Sequence, residues 1–283
     1  MIPKIKKVHW SASQNCNLKC EFCYLWRKTK AEPISTAVAK ELIRQCSKSG
    51  VEWFVFGGGD PLLREDLPVL LAYSKEVGLK NDLQTNALLL NDQMSESILS
   101  YVDRLGLSLD GENEKIHDSI RNSKGHFNSV LNALQRCEKT QMPVVMRTTV
   151  LDMNLGKLAR IGELLAGYSC VSKWSLREFI PLGLGKKNKT KFFVSRDVFL
   201  DECKKIRKYN VGFIHFPIIP LTSDEMDNCY CLITVDGHFY THPKNGTYSS
   251  CGKFPFKSVR NIVGNMQYDS LLRNNRDMRV AYS

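Results

Sequence analysis

Cys16-Asn17-Leu18-Lys19-Cys20-Glu21-Phe22-Cys23 places three thiols within eight positions. The run follows Val8–Ser13 directly, where apolar and polar residues alternate as they do in a half-buried strand. Cysteine thiolates hold iron–sulfur clusters, and a loop this short can wrap three corners of a cube. With no fourth cysteine nearby, one iron would stay open to an outside ligand. A structural zinc site wants four protein ligands. The nearest spare one, His9, lies inside the predicted strand.

Outward from that loop, β-rich runs alternate with amphipathic helical stretches. The predicted strands are Val8–Ser13, Val51–Phe56, Leu79–Thr85, Arg104–Leu109, Val144–Val150 and Lys173–Ile180. The helices between and after them are Ser35–Ser49, Asp66–Gly78, Asp92–Tyr101, Phe127–Thr140, Gly156–Tyr168 and Ser195–Tyr209. Such alternation implies an α/β fold of parallel strands with right-handed helical crossovers. Six units suit a partial (β/α)6 barrel better than a closed eight-fold one. The rhythm changes after Phe216, where Pro217 and Pro220 are expected to break the chain. Cys231–Val235, Asp236-Gly237 and His238–Thr241 then read as a β-hairpin turning on Asp-Gly. The expected division is a barrel over 1–216 and a small cysteine-containing appendage over 217–283.

Composition narrows the class of protein without naming its substrate. The 283 residues are 43% hydrophobic and 24% charged, ordinary for a globular chain. Lys and Arg exceed Asp and Glu by 40 − 29 = 11. The charges are scattered, and the densest group, Lys186, Lys187, Lys189 and Lys191, reads as a solvated loop, so nucleic acid is not indicated. No apolar window reaches the length of a bilayer span, and the N-terminal stretch lacks the pattern of a secretion signal. The ten cysteines are therefore read as belonging to a reduced, cytoplasmic protein with a metal site.

The spacing of the cysteine trio, with Phe22 before the last thiol, resembles the radical S-adenosylmethionine (SAM) superfamily, and later strand ends continue the likeness. Phe56-Gly57-Gly58-Gly59-Asp60-Pro61 resembles the family's Gly-Gly-Glu-Pro turn, with Asp60 for Glu. Gln84-Thr85-Asn86 resembles its Thr-Asn-Gly, with Ala87 for the glycine. Ser108-Leu109-Asp110-Gly111, His117-Asp118, Arg121 and Gly125-His126-Phe127 resemble the series of one branch, as does Pro181-Leu182-Gly183-Leu184-Gly185. The resemblance implies a [4Fe–4S] cluster on Cys16, Cys20 and Cys23. It implies SAM against Phe22, Gly57, Gly58, Gly59, Asp60, Pro61, Thr85, Asn86, Ser108, Asp110, Arg121 and Pro181. Arg147, at a barrel strand's C-terminal end, is a further candidate ligand. On sequence physics alone, His117 and Arg121 are equally well placed on a helix surface.

In that branch a cysteine-rich appendage, called SPASM or, when shortened, Twitch, often follows the barrel. Cys229-Tyr230-Cys231, Asp236-Gly237-His238, Cys251 and Ile262-Val263-Gly264-Asn265 resemble a reduced version, with His242 where a cysteine is usual. Imidazole can replace thiolate on iron, so Cys229, Cys231, His242 and Cys251 would hold an auxiliary cluster. The alternatives are thiols that pack inside or bind zinc, or Cys251 as a hydrogen donor to a substrate radical. Cys46, Cys137, Cys170 and Cys203 fall in or near predicted helices and read as buried apolar groups. The implied chemistry is one-electron cleavage of SAM to a 5′-deoxyadenosyl radical, with a flavodoxin- or ferredoxin-type donor. Hydrogen abstraction from a small natural product or a peptide would follow, leading to epimerisation, dehydrogenation, decarboxylation or cross-linking. Cofactor biosynthesis of the heme or quinone type is the enzymatic alternative, and acidic substrates would suit a basic protein. A non-enzymatic metal-binding protein that keeps the fold is the alternative of another class.

Overall fold

The computed structural model describes residues 5–25, 31–209, 213–226, 231–244 and 247–264. Six strands come first: β1 (Lys7–Ser13), β2 (Trp53–Gly58), β3 (Lys80–Gln84), β4 (Arg104–Ser108), β5 (Val144–Val150) and β6 (Val171–Glu178). Between them run α1 (Thr36–Lys48), α2 (Leu67–Glu76), α3 (Asp92–Ile98), α4 (Glu114–Arg121), α5 (His126–Thr140) and α6 (Leu158–Ala166). These strands pair in parallel in chain order, as helical crossovers require. Ser35 caps α1 as the sequence indicates, its hydroxyl accepting from the Val38 N–H at 3.4 Å. The structure adds α4, the helix that carries His117 and Arg121.

Alternation along each strand separates two environments. Val8, Trp10, Phe54, Phe56, Leu83, Leu105, Leu107, Met146, Trp174 and Leu176 point to the helices and join one apolar core with Leu42, Leu71, Leu134 and Ile161. Cys46, Cys137, Cys170 and Cys203 belong to the same core, as expected. The opposite, inward face is polar and carries Lys7, Asp82, Arg104 and Arg147.

The second half of the chain extends both edges of this sheet. After α7 (Gly183–Lys187), α8 (Lys189–Phe192) and α9 (Arg196–Tyr209) comes β7 (Ile218–Leu221), parallel to β6. Then α10 (Ser223–Met226) leads to β8 (Cys231–Ile233), β9 (His238–Lys244), β10 (Thr247–Lys253) and α11 (Val259–Gly264). β8 lies parallel to β1, and β9 and β10 follow antiparallel. The order is β10-β9-β8-β1-β2-β3-β4-β5-β6-β7. The division expected at residue 217 thus falls within a continuous sheet. Pro220, expected to break the chain, instead lies in β7. That strand is the sheet's edge, where a missing N–H costs no ladder bond on the open side. No described helix is long and apolar enough to cross a membrane.

One buried carboxylate organises the barrel floor. Asp82 is fully buried and lies 3.2 Å from Lys7 Nζ, 2.5 Å from Arg104 Nη2 and 3.9 Å from Arg147 Nη2. Burial alone would raise its carboxyl; Lys7, Arg104 and Arg147 outweigh that and hold it far below the usual range. Arg104 also lies 4.2 Å over the Trp53 ring. Replacing Asp82 with Asn leaves these cations buried without their counter-charge. Urea unfolding at neutral pH should show a loss of about 3–5 kcal/mol. The native carboxylate stabilises the fold only above its unfolded pKa, so the gap should close as pH falls below about 4. A variant as stable as the native chain would contradict this reading of the floor.

Candidate active site

A cavity of about 260 Å³ opens at the C-terminal ends of the strands. Cys16, Cys20, Phe22 and Cys23 line it from the loop after β1, and Gly58 and Gly59 from the turn after β2. Thr85 and Asn86 follow from β3, Ser108 from β4, Arg121 from α4, and Arg147 and Thr149 from β5. Arg177, Phe179 and Leu182 close the far wall, with Leu232 and His9 beside them. None of the three thiols is in a disulfide; Cys20 is buried, and Cys16 and Cys23 are half-buried. Burial pushes the Cys20 thiol up, against the opposing pull of the Arg121 guanidinium.

Close approach of two backbones explains the glycines. Gly59 donates to the Ser13 carbonyl and Asp60 to the Asn15 carbonyl, each at 2.7 Å, laying the β2 turn directly on the cysteine loop. A Cβ on Gly59 would lie 2.1 Å from the Asn15 oxygen. On Gly58, where φ is +116°, it would lie 2.2 Å from the Ser13 oxygen. No other residue fits either position without moving the loop that carries Cys16.

A belt of hydrogen bonds joins the strand ends around the cavity. The buried Asp60 carboxylate accepts from the Leu62 N–H (2.9 Å), the Thr85 hydroxyl (2.8 Å) and the Asn86 N–H (2.8 Å). Asn86 Nδ2 in turn donates to Asn17 Oδ1 at 2.7 Å, within the cysteine loop. Asp110, also fully buried, accepts from the Thr149 N–H (2.8 Å) and from Arg121, whose Nε and Nη2 both lie 2.5 Å from its Oδ2. Arg121 lies 5.2 Å over the Phe22 ring, and its carbonyl accepts from Cys20 Sγ at 3.5 Å. Asn154 Nδ2 donates to the Asp110 carbonyl at 2.9 Å.

Two histidines complete the belt. The Asp110 N–H donates to His117 Nδ1 (3.0 Å), which assigns the ring proton of a neutral His117 to Nε2. That proton is shared with His126 Nδ1 at 2.8 Å, and His126 Nε2 then donates to the Asn86 carbonyl at 2.8 Å. Both rings are fully buried and stack 4.8 Å apart. Burial, and after it the Arg121 charge, lowers His117 to about 2 and His126 to about 4, from an ordinary value of 6.5. The unfolded chain therefore takes up protons that the folded chain refuses as pH falls from 6.5 toward 4, and stability is lost across that window. His126→Gln keeps a donor for Asn86 but cannot titrate. It should remove up to about 1.4 kcal/mol per pH unit from the pH slope of unfolding below pH ~6. An unchanged slope would contradict the neutral pair.

The structure gathers Cys16, Cys20, Cys23, Phe22, Gly58, Gly59, Thr85, Asn86, Ser108, Arg121 and Arg147 on one cavity. Gly57, Asp60, Pro61, Asp110 and Pro181 do not line it. Asp60 and Asp110, expected beside the ligand, spend their carboxylates on the belt behind it. Among the appendage candidates, Cys229 lies outside the described residues, as does the side chain of His242 in β9. Cys231 is 3% exposed within the apolar core, and Cys251 packs against that core instead of lining the cavity. Among the described residues, no three His, Cys, Asp or Glu side chains are grouped as ligands of a single metal ion. Sequence reasoning named His117 and His126 within motifs but not as a buried pair, and it missed Asp82 and Arg177. Strand alternation carried the signal for the last two, since Asp82 shares its face of β3 with Gln84, and Arg177 its face of β6 with Lys173 and Ser175.

A sequence profile of the Radical SAM superfamily matches residues 10–165. A Fe-coproporphyrin III synthase of Methanosarcina barkeri is 32% identical over 204 residues, covering 70% of this chain and 49% of that protein. An AdoMet-dependent heme synthase of the same organism is 29% identical over 185 residues, covering 64% and 52%. The chain thus spans about half the length of the curated relatives it matches. Among solved structures, Streptococcus suis SuiB bound to the precursor peptide SuiA superposes with a TM-score of 0.73. The match covers 91% of this chain and 64% of SuiB at 16% identity, a likeness of fold.

Proposed function

The chain belongs to the Radical SAM superfamily, and we propose that it abstracts hydrogen from a C–H bond of a small natural product or peptide held inside the barrel. The family is one of enzymes that work with SAM and a [4Fe–4S] cluster. The donor set fits those groups: three thiols outside any disulfide share one wall, and a glycine turn exposes its backbone beside them. That convergence is the observation that carries the reading.

In this assignment Cys16, Cys20 and Cys23 hold the cluster, and the backbone of Gly58 and Gly59 with Thr85 and Asn86 receives the SAM amino group. Ser108 meets the ribose, and Arg121, fixed by Asp110 and spread over Phe22, meets the carboxylate. Bound together, cluster and SAM supply a 5′-deoxyadenosyl radical when an external flavodoxin- or ferredoxin-type donor delivers an electron. The chain's own work is to orient and to shield. Asp60 fixes the Thr85-Asn86 turn, the histidine pair ties it to Asp110, and Phe22, Phe179 and Phe192 form an apolar wall around the thiols.

A second reading, heme-type cofactor biosynthesis, is favoured by the relatives, which are named as coproporphyrin and heme synthases. The cationic inner face suits the acidic substrates of that reading. For the appendage, burial of Cys231 in the apolar core supports the packing role of its thiols over an auxiliary cluster.

Changing Cys16, Cys20 or Cys23 to Ala should reduce 5′-deoxyadenosine formation by the reconstituted, reduced protein to background; full cleavage in any of them would contradict the ligand set. Cys251→Ala should leave iron at about four per chain. Iron above that level, lost with Cys251, would instead place a second cluster in the appendage.

A further inference from the structure

The barrel's inner face collects positive charge, and nearly all of it is spoken for. Arg121 is held by Asp110, and Lys7, Arg104 and Arg147 surround Asp82. Arg177 differs. It stands at the C-terminal end of β6, in register with Thr149 of β5 and Leu221 of β7, and lines the cavity. Among the described residues it has no hydrogen-bond or ion-pair partner, and its Nε, like that of Arg147, is buried without an acceptor. The adjacent carboxylate does not serve it. Glu178 also borders the cavity, but its carboxylate accepts from Arg196 at 3.2 and 3.3 Å and from the Ser223 N–H at 2.6 Å.

A guanidinium donor withdrawn from water without an acceptor is costly, and a second anion beside it would repay that cost. The planar fork of Arg matches the two oxygens of a carboxylate or phosphate. The surroundings add to the field: Arg147 and Arg177, together with Lys7, act on His9, which burial keeps neutral. Lys173, inward on the same strand, is lowered to about 8 by burial and then by Arg104, Lys7 and Arg147. An anion entering this face meets an excess of cation, while a neutral or cationic guest leaves it uncompensated.

We infer that Arg177 is the docking residue for an oxyanion of the substrate, a carboxylate or a phosphate. This rests on the function proposed above and narrows its substrate to an anionic one. Within that assignment SAM's own carboxylate already has Arg121, whose guanidinium lies over Phe22 beside the cysteine loop. Arg177 acts from a different strand.

The test uses the reconstituted holoprotein loaded with SAM, in native, Arg177→Met and Arg177→Lys forms. Coproporphyrin III serves as the carboxylate probe and inorganic pyrophosphate as the phosphate probe, each titrated by calorimetry. SAM affinity and reductive SAM cleavage are measured on the same samples. At least one probe should bind the native protein, and its identity names the source of the oxyanion. Arg177→Met should weaken that probe about tenfold or more, Arg177→Lys less, with SAM affinity unchanged in both. Three results would overturn the inference: neither probe binds the native protein, the bound probe is indifferent to Arg177→Met, or SAM affinity falls in step with the probe. The last would make Arg177 a SAM ligand. Absence of SAM cleavage by the native protein would instead strike the proposed function itself.

Discussion

The site depends on a carboxylate that never reaches it. Asp60 closes the end of β2 onto the end of β3 by accepting from the Thr85 hydroxyl and the Asn86 N–H, and everything at the rim is referred to that joint. From Asn86 one branch runs to Asn17 in the cysteine loop. The other passes through two neutral histidines to Asp110, and from Asp110 to Arg121, Thr149 and Asn154. The ends of β2, β3, β4 and β5, the cysteine loop and two helices, α4 and α5, are thereby locked into one geometry. A loop of three thiols needs such a frame, because short loops without regular pairing do not hold their side chains in place by themselves.

Below this rim the barrel separates its tasks by face. The outward residues of each strand are large and apolar and fasten the helices. The inward ones are small or charged, and Asp82 makes their accumulation of positive charge tolerable at the floor. Gly106 illustrates how tightly the two are fitted: a Cβ there would meet Arg147 Nη1 at 1.9 Å. The strand gives up a side chain so that a guanidinium can cross the interior. Arg177, higher on the wall, has no such counter-charge among the described residues, and it is there that we place the docking of a substrate oxyanion.

Much of this was legible in the sequence because motif position and strand position coincide. Every strand end with a recognisable motif before residue 150 does reach the rim, and the cysteine trio does follow the first strand. Residue number along a strand end did not reveal which way a short side chain turns. Asp60 and Asp110 read as ligand contacts, yet each carboxylate turns back to bind the neighbouring strand's backbone. His117 and Arg121 looked equally suited to a helix surface, because α4 packs its inward face on partners distant in sequence, His126 and Asp110. Pro220 misled for a related reason. A proline argues against a central strand, and only the tertiary order shows that β7 is an edge. The last quarter was hardest, since a hairpin's partners depend on the sheet it joins, and β8 joins at β1.

The central claim is that the thiols of Cys16, Cys20 and Cys23 and the turn at Gly58-Gly59 serve a cluster and SAM at one place. Electron paramagnetic resonance of the reduced, reconstituted protein, recorded with and without SAM, tests that claim most directly. The account predicts a reduced-cluster signal that changes shape when SAM is added and that vanishes when all three cysteines are replaced by Ala. A signal indifferent to SAM, or one that survives loss of the trio, would contradict it.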